Sequence, residues 1–135
     1  LRVQELAVHA WDIRAGMDSL ATISEEALPQ MVTMVPRWLR TAFISRLDLP
    51  TPVRFRFDVN GASKVSEDVL VNGQDYEIQA SGTIQADATF RCDTSNYILL
   101  IFGRIGADAG VSSGRLTILG SQQRASEFTS WFKGF

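Results

Sequence analysis

The sequence predicts an α+β protein whose mostly antiparallel sheet is covered by helices on one face, preceded by one or two N-terminal helices. Three observations support this class. Apolar residues recur at helical spacing in the first third of the chain, strand-like alternation begins abruptly after residue 52, and two further helices are interleaved with the last strands. The predicted order is therefore helix, helix, several strands, helix, strand, helix.

The chain opens with two helical segments. Residues 2–17 follow one helix, on which a narrow polar stripe is bordered by apolar side chains on both edges. The stripe consists of Arg2, Glu5, His9, Asp12 and Gly16. A surface helix normally separates its polar and apolar residues into two arcs, so we expect this stripe to face a partly buried site. A second helix is predicted over Gln30–Leu47, kinked or interrupted at Pro36.

The period of the pattern changes to two in the segment VRFRFDV. Apolar residues at 53, 55, 57 and 59 alternate with Arg54, Arg56 and Asp58, which predicts a half-buried strand whose arginines form a solvated face. Weaker strands are predicted near Glu67–Val71 and Tyr76–Ala80, joined by an Asn-Gly turn. The segment ADATFRCD, residues 86–93, predicts a fourth strand.

The last third of the chain alternates helix and strand. The segment DTSNYILLIFGR predicts a helix capped by Asp93 or Thr94 and ended by Gly103. A strand is predicted over Ser113–Gly120. Ser121 then caps a final helix with one apolar side, formed by Ala125, Phe128, Trp131 and Phe132.

Composition excludes several classes of function. The 135 residues are 45% hydrophobic and 21% charged, which is ordinary for one globular domain with a core of its own. The net charge of −2 gives no electrostatic support for binding nucleic acid or an anionic membrane. No apolar run approaches the ~18 residues of a membrane helix. The single cysteine, Cys92, faces inward on its strand as a small buried residue, and its isolation favours a reducing, cytoplasmic compartment.

Two segments resemble known families. The C-terminal stretch ADATFRCDTSNYILLIFGRIGADAGVSSGRLTILGSQQRASEFTSWF resembles the sterol-carrier-protein-like fold, including its Gly-Arg-Leu-x-Ile-x-Gly strand. The opening VQELAVHAWDIRAGM is similar to the last bundle helix of the DinB-like metal-dependent superfamily, in its actinobacterial branch of mycothiol-dependent maleylpyruvate isomerases. The combination implies residues 1–20 as a helix of a truncated metal-binding bundle and residues 21–135 as a sterol-carrier-like domain.

This resemblance implies an isomerase or transferase that uses zinc or another divalent metal together with mycothiol. Glu5 and His9 match the Glu-x-x-x-His segment that supplies two metal ligands, whereas the family's upstream histidine has no counterpart, because His9 is the only histidine. The metal would favour a thiolate that adds reversibly to the activated double bond of a small dicarboxylate. Arg115 is the candidate cation for that substrate. The spacing alone also fits a surface pair at Glu5 and His9, and Arg115 also fits a solvated strand-edge arginine.

Two alternatives without catalysis stay open. A sterol-carrier-like domain could hold an apolar ligand between its sheet and the helices near residues 97–102 and 128–135, although the same aromatic residues also suit plain core packing. The domain could instead form a homodimer through its first helix, whose apolar residues Leu6, Ile13 and Met17 would otherwise be exposed.

Overall fold

A computed structural model describes residues 23–133 of the chain. The predicted first helix, with Glu5 and His9, and the predicted boundary at residue 20 lie outside these described residues. Within them the elements are α1 Leu28–Ala42, β1 Val53–Asn60, β2 Val65–Val71, β3 Tyr76–Ala80, β4 Ala88–Asp93, α2 Thr94–Ile101, α3 Ala107–Ser112, β5 Thr117–Gly120 and α4 Gln122–Trp131.

The five strands form one sheet in the order β3-β2-β1-β4-β5. Neighbouring strands are antiparallel except for the central pair, β1 and β4, which run parallel. The segment 81–87 therefore has to cross from the edge strand β3 to the far side of β1. The predicted α+β class with a mostly antiparallel sheet is confirmed.

The helix ends follow the capping residues that the sequence indicates. The side chain of Asp93 accepts a hydrogen bond from the backbone N–H of Asn96 at the start of α2, and Ser121 does the same for Arg124 at the start of α4. These bonds satisfy backbone donors that a helix cannot pair internally. Helix α1 begins at Leu28, continues through Pro36 and ends at Ala42, five residues before the predicted end.

The predicted strand over Ser113–Gly120 is wrong in its first half, and a short helix occupies the Ala-rich segment before it. The backbone N–H groups of Arg115 and Leu116 both donate to the carbonyl of Gly110, which closes the end of α3. Gly114 allows this turn because it adopts a φ of 78°. The strand consequently begins only at Thr117.

Helices α2 and α4 cover one face of the sheet, which we call the inner face. Phe55 and Phe57 of β1 and Phe90 of β4 point to this face and are fully buried. Trp131 of α4 packs edge-on against Phe55, with ring centroids 5.5 Å apart. Helix α1 packs on α2, where the indole N–H of Trp38 donates to the carbonyl of Ile101.

The opposite, outer face of the sheet is not the solvated surface that the alternation predicts. Arg54 is only 9% exposed and Asp68 is fully buried. Arg54 and Arg56 both donate hydrogen bonds to the Asp68 carboxylate, and Arg56 also binds the carbonyl of Ile84. The prediction failed because segment 81–87 folds over these side chains, and a single-strand pattern contains no information about such a distant segment.

Candidate functional site

An aromatic layer fills the space between the inner face of the sheet and the helices. Phe128 of α4 lies at its centre, with its ring 5.2 Å from that of Phe55, 5.1 Å from Phe57 and 5.7 Å from Phe90. Phe132 extends the layer to Tyr76 on the edge strand β3, at 5.2 Å. Such a layer can accommodate apolar groups and penalises polar ones that find no hydrogen-bond partner.

The phenol of Tyr97 is a polar group at this layer. Tyr97 lies on α2, is 3% exposed, and packs edge-on against Phe57 with ring centroids 5.6 Å apart. Burial raises the pKa of Tyr97, and the negative charge of Glu67 raises it further. The hydroxyl therefore stays protonated and can donate or accept a hydrogen bond at neutral pH.

Glu67 shares the inner face with these aromatic residues. It pairs with Phe57 of β1 on one side and with Ala80 of β3 on the other. Side chains that are directly opposite in neighbouring strands point to the same face. The carboxylate of Glu67 therefore stands at the border of the aromatic layer.

The layer opens to solvent at this border. On the inner face, Glu67 and Ala80 are exposed and Ile78 is half-buried, whereas the inner-face residues of β1 are buried. We call the three positions Glu67, Ile78 and Ala80 the open corner. At these three positions the helices give less cover than they give over β1.

A cavity of about 130 Å³ lies at the N-terminal end of α2. Its lining includes Ile23, Leu28, Gly61, Thr94 and Ser95. The polar walls are already paired, because Ser95 accepts from the N–H of Ile23 and Thr94 donates to the carbonyl of Ser63. Ligand pockets usually measure about 300 Å³ or more, so this cavity is too small for a lipid without a rearrangement.

The predicted site residues are only partly within the described chain. Glu5 and His9 lie outside it, so the metal and mycothiol predictions stay predictions. Within residues 23–133, no group of three His, Cys, Asp or Glu side chains is placed to hold a metal ion. Arg115 lies in the turn between α3 and β5, where its Nη1 donates to Oδ1 of Asn96 at 2.9 Å. Its proposed role toward a dicarboxylate stays a prediction.

Cys92 has the predicted inward orientation and is 8% exposed. Burial raises the pKa of its thiol to about 12, with smaller contributions from the charges of Asp93 and Asp58. The thiolate is the reactive form of cysteine, and the raised pKa keeps Cys92 protonated at neutral pH. We therefore interpret Cys92 as a packing residue of this domain.

Sequence reasoning missed Glu67 as a residue of interest. The signal was present in the segment VSEDVLV, where Val65, Val69 and Val71 share one face and Glu67 interrupts them. The predicted strand began at Glu67, whereas β2 begins two residues earlier, at Val65. Only with the earlier start does Glu67 interrupt a row of valines on one face.

An aromatic layer enclosed by one five-stranded sheet and its helices, partly exposed at the sheet edge, defines a small α+β domain. The model of the SCP-2 sterol transfer family matches residues 52–133, and the chain belongs to this family. No curated protein matches the chain significantly.

Solved structures share the fold at low sequence identity. UbiJ-SCP2, a ubiquinone synthesis protein, is 18% identical with a TM-score of 0.58, over 76% of this chain and 93% of that one. Sterol carrier protein 2 like 2 from Aedes aegypti is 12% identical with a TM-score of 0.54, over 76% and 97%. The stereoselective inverting sec-alkylsulfatase Pisa1 from Pseudomonas sp. is 11% identical with a TM-score of 0.59, over 72% of this chain and 15% of that enzyme. The fold thus occurs both as a separate domain and as a small part of a larger enzyme.

Proposed function

We propose that this domain binds an apolar molecule of lipid type between the inner face of its sheet and helices α2 and α4. The observation that carries the proposal is the continuity of the aromatic layer with the open corner. Membership of the SCP-2 sterol transfer family supports it. Among the described residues no helix is long and apolar enough to span a membrane.

Binding requires the layer to widen. Phe128 and Phe132 are fully buried in this layer, and the cavity of about 130 Å³ lies elsewhere, at the N-terminal end of α2. The sheet edge at β3 offers the way in, because Ile78 and Tyr76 are only half-buried there and β3 has a strand neighbour on one side only. An acyl or ring system entering here would replace contacts between aromatic rings with contacts of its own.

Displacement of a neutral fluorescent probe tests the proposal. N-phenyl-1-naphthylamine should bind the purified protein saturably, and 1-dodecanol should displace it. Ile78→Lys at the open corner should weaken probe binding at least tenfold, because the ligand would have to pass a charge. Leu119→Lys is the matched control, since Leu119 is a partly exposed apolar residue of β5 on the outer face, and it should leave binding unchanged.

The proposal fails if the wild-type protein shows no saturable binding. It also fails if both lysine variants bind the probe as the wild type does. Thermal unfolding of the two variants, measured in parallel, separates a loss of binding from a loss of fold.

A metal- and mycothiol-dependent activity of the maleylpyruvate isomerase type is a separate prediction, supported by the spacing of Glu5 and His9 and by the resemblance of the first helix. We propose to test it by the zinc content of the purified protein. Stoichiometric zinc that is lost in both Glu5→Gln and His9→Ala would support it, and a metal-free wild type after zinc addition would contradict it. Homodimerisation through the first helix and a cytoplasmic location are likewise still predictions.

A further inference from the structure

We infer that Glu67 selects for uncharged lipids that carry a hydroxyl group and rejects fatty-acid carboxylates. The inference rests on the proposed function, because it names the head group of the molecule that would occupy the aromatic layer. It goes further by assigning one residue of β2 as the determinant of specificity.

The placement of Glu67 is unusual for this sheet. The strand registers show which residues of the five described strands lie on the inner face. Apart from Glu67, all of them are apolar, aromatic, cysteine or glycine residues, so Glu67 is the single charged side chain on that face of these strands. Its neighbours across the strands are Phe57 and Ala80. Within residues 23–133 no lysine or arginine lies within ion-pair distance of its carboxylate, so its charge is not neutralised there by a described residue.

Tyr97 provides a second polar group beside it. Its ring contacts that of Phe57, the strand partner of Glu67, and its pKa responds to the charge of Glu67. No residue in the described part of the chain exchanges a hydrogen bond with the Tyr97 hydroxyl. The phenol and the carboxylate are thus both neighbours of Phe57 at the border of the aromatic layer.

The chemistry of this pair favours a hydroxyl over a carboxylate. An ionised carboxylate only accepts hydrogen bonds, so Glu67 can accept from the hydroxyl of a ligand, whose oxygen can in turn accept from Tyr97. A ligand carboxylate at the same point would place a second negative charge beside Glu67 and would lose part of its own hydration at the edge of the apolar layer, and both effects weaken its binding. The apolar tail of either ligand would occupy the same aromatic layer, so the head group decides the difference in affinity.

Competition between two ligands of equal chain length tests the inference. The dissociation constants of 1-dodecanol and dodecanoate are measured by displacement of N-phenyl-1-naphthylamine at pH 8. We expect the wild type to bind the alcohol at least tenfold more tightly than the acid. Glu67→Gln should reduce this ratio to about threefold or less, mainly by tightening dodecanoate. Tyr97→Phe should weaken 1-dodecanol several-fold with little effect on dodecanoate.

Glu77→Gln is the matched control. Glu77 is an exposed glutamate on the adjacent strand β3, paired with Leu70, so it points to the outer face. It should keep the wild-type ratio. An unchanged ratio in Glu67→Gln, with both ligands still bound, would overturn the inference and leave the proposed function intact. Failure of the wild type to bind either ligand or the probe would instead overturn the proposed function.

Discussion

Arg54 donates from Nη1 to Oδ2 of Asp68 across 2.8 Å on the outer face of the sheet. Arg56 binds the other carboxylate oxygen from Nε, also at 2.8 Å, and Ser81 adds a third donor. Asp68 is fully buried, and four hydrogen bonds from these three residues replace the water that its carboxylate would bind in the unfolded chain. The Asp68 carboxylate thus connects strands β1 and β2 to the segment 81–87 that crosses them, so its loss should affect both the stability of the protein and the dependence of that stability on pH.

Asp68→Asn should destabilise the protein by about 3 kcal/mol, because the buried Arg54 and the half-buried Arg56 would lose their counter-charge. Asp58→Asn is the matched control. Asp58 pairs with Arg91 at 3.0 Å, but both side chains are 52% exposed, so its loss should cost less than about 1 kcal/mol. Urea unfolding of the wild type and both variants measures the difference. Equal losses in the two variants would show that the buried cluster contributes no more than a surface pair.

The Asp68 cluster should also make the protein sensitive to acid. Burial alone would raise the pKa of Asp68, but hydrogen bonds from Arg56, Arg54 and Ser81 outweigh it and lower the pKa. The unfolded chain therefore takes up this proton at a higher pH than the folded one, so the contribution is present above about pH 4 and is lost as the pH falls through the folded pKa.

Unfolding in urea at pH 7, 4.5 and 3 measures this dependence. The free energy of unfolding should fall more steeply below about pH 4 in the wild type than in Asp68→Asn, which has no proton to take up at this position. Asp58→Asn should follow the wild type. A slope that is identical in all three proteins would contradict the assignment to Asp68.

Gly120→Ala should destabilise the protein by about 2 kcal/mol. Gly120 ends β5 with a φ of 88°, and a Cβ there would lie 2.6 Å from the backbone carbonyl oxygen of Asp87. Gly82→Ala serves as control, because Gly82 has no such φ and a Cβ there meets no atom within 4 Å. Its effect should stay below about 1 kcal/mol in either direction. Thermal unfolding of the two alanine variants distinguishes them, and a Gly120→Ala protein as stable as Gly82→Ala would be evidence against this close approach.

Cys92 should react with a thiol reagent only when the protein unfolds. Its burial and its pKa of about 12 should make its reaction with 5,5′-dithiobis(2-nitrobenzoate) at pH 8 more than about tenfold slower than that of glutathione. Addition of guanidinium chloride should restore the ordinary rate. Since Cys92 is the only cysteine, the absorbance change reports on this site alone. Rapid labelling of the native protein would contradict its assignment as a packing residue.

Local signals in the sequence predicted most of the elements because they depend on neighbouring residues. The alternation around Phe55 and Phe57 marks β1, and the caps at Asp93 and Ser121 mark the starts of α2 and α4. The helix over Ala107–Ser112 escaped prediction because its end depends on the turn at Gly114 and on the burial of Leu116 against Gly110. That contact is a property of the folded chain.

Prediction of the site was limited by contacts between distant segments. The same alternation that marks β1 placed Arg54 and Arg56 in water, since it could not show that Ser81 and Ile84 return to cover them. Glu67 gained its significance only when the register placed it opposite Phe57. The placement of side chains across strands, rather than the type of each residue, decides which of them belong to the site.

The parallel pairing of β1 with β4 has a consequence for the synthesis of this protein. When a ribosome has released the chain as far as Ala80, β1, β2 and β3 can already pair, but one edge of β1 still lacks its neighbour and the ring of Phe57 lacks Phe90, which stacks on it at 5.2 Å. An unpaired strand edge is a template for association with other chains. A nascent chain is therefore most vulnerable to aggregation until Asp93 has emerged, and fragments that end before this residue should collect in the insoluble fraction.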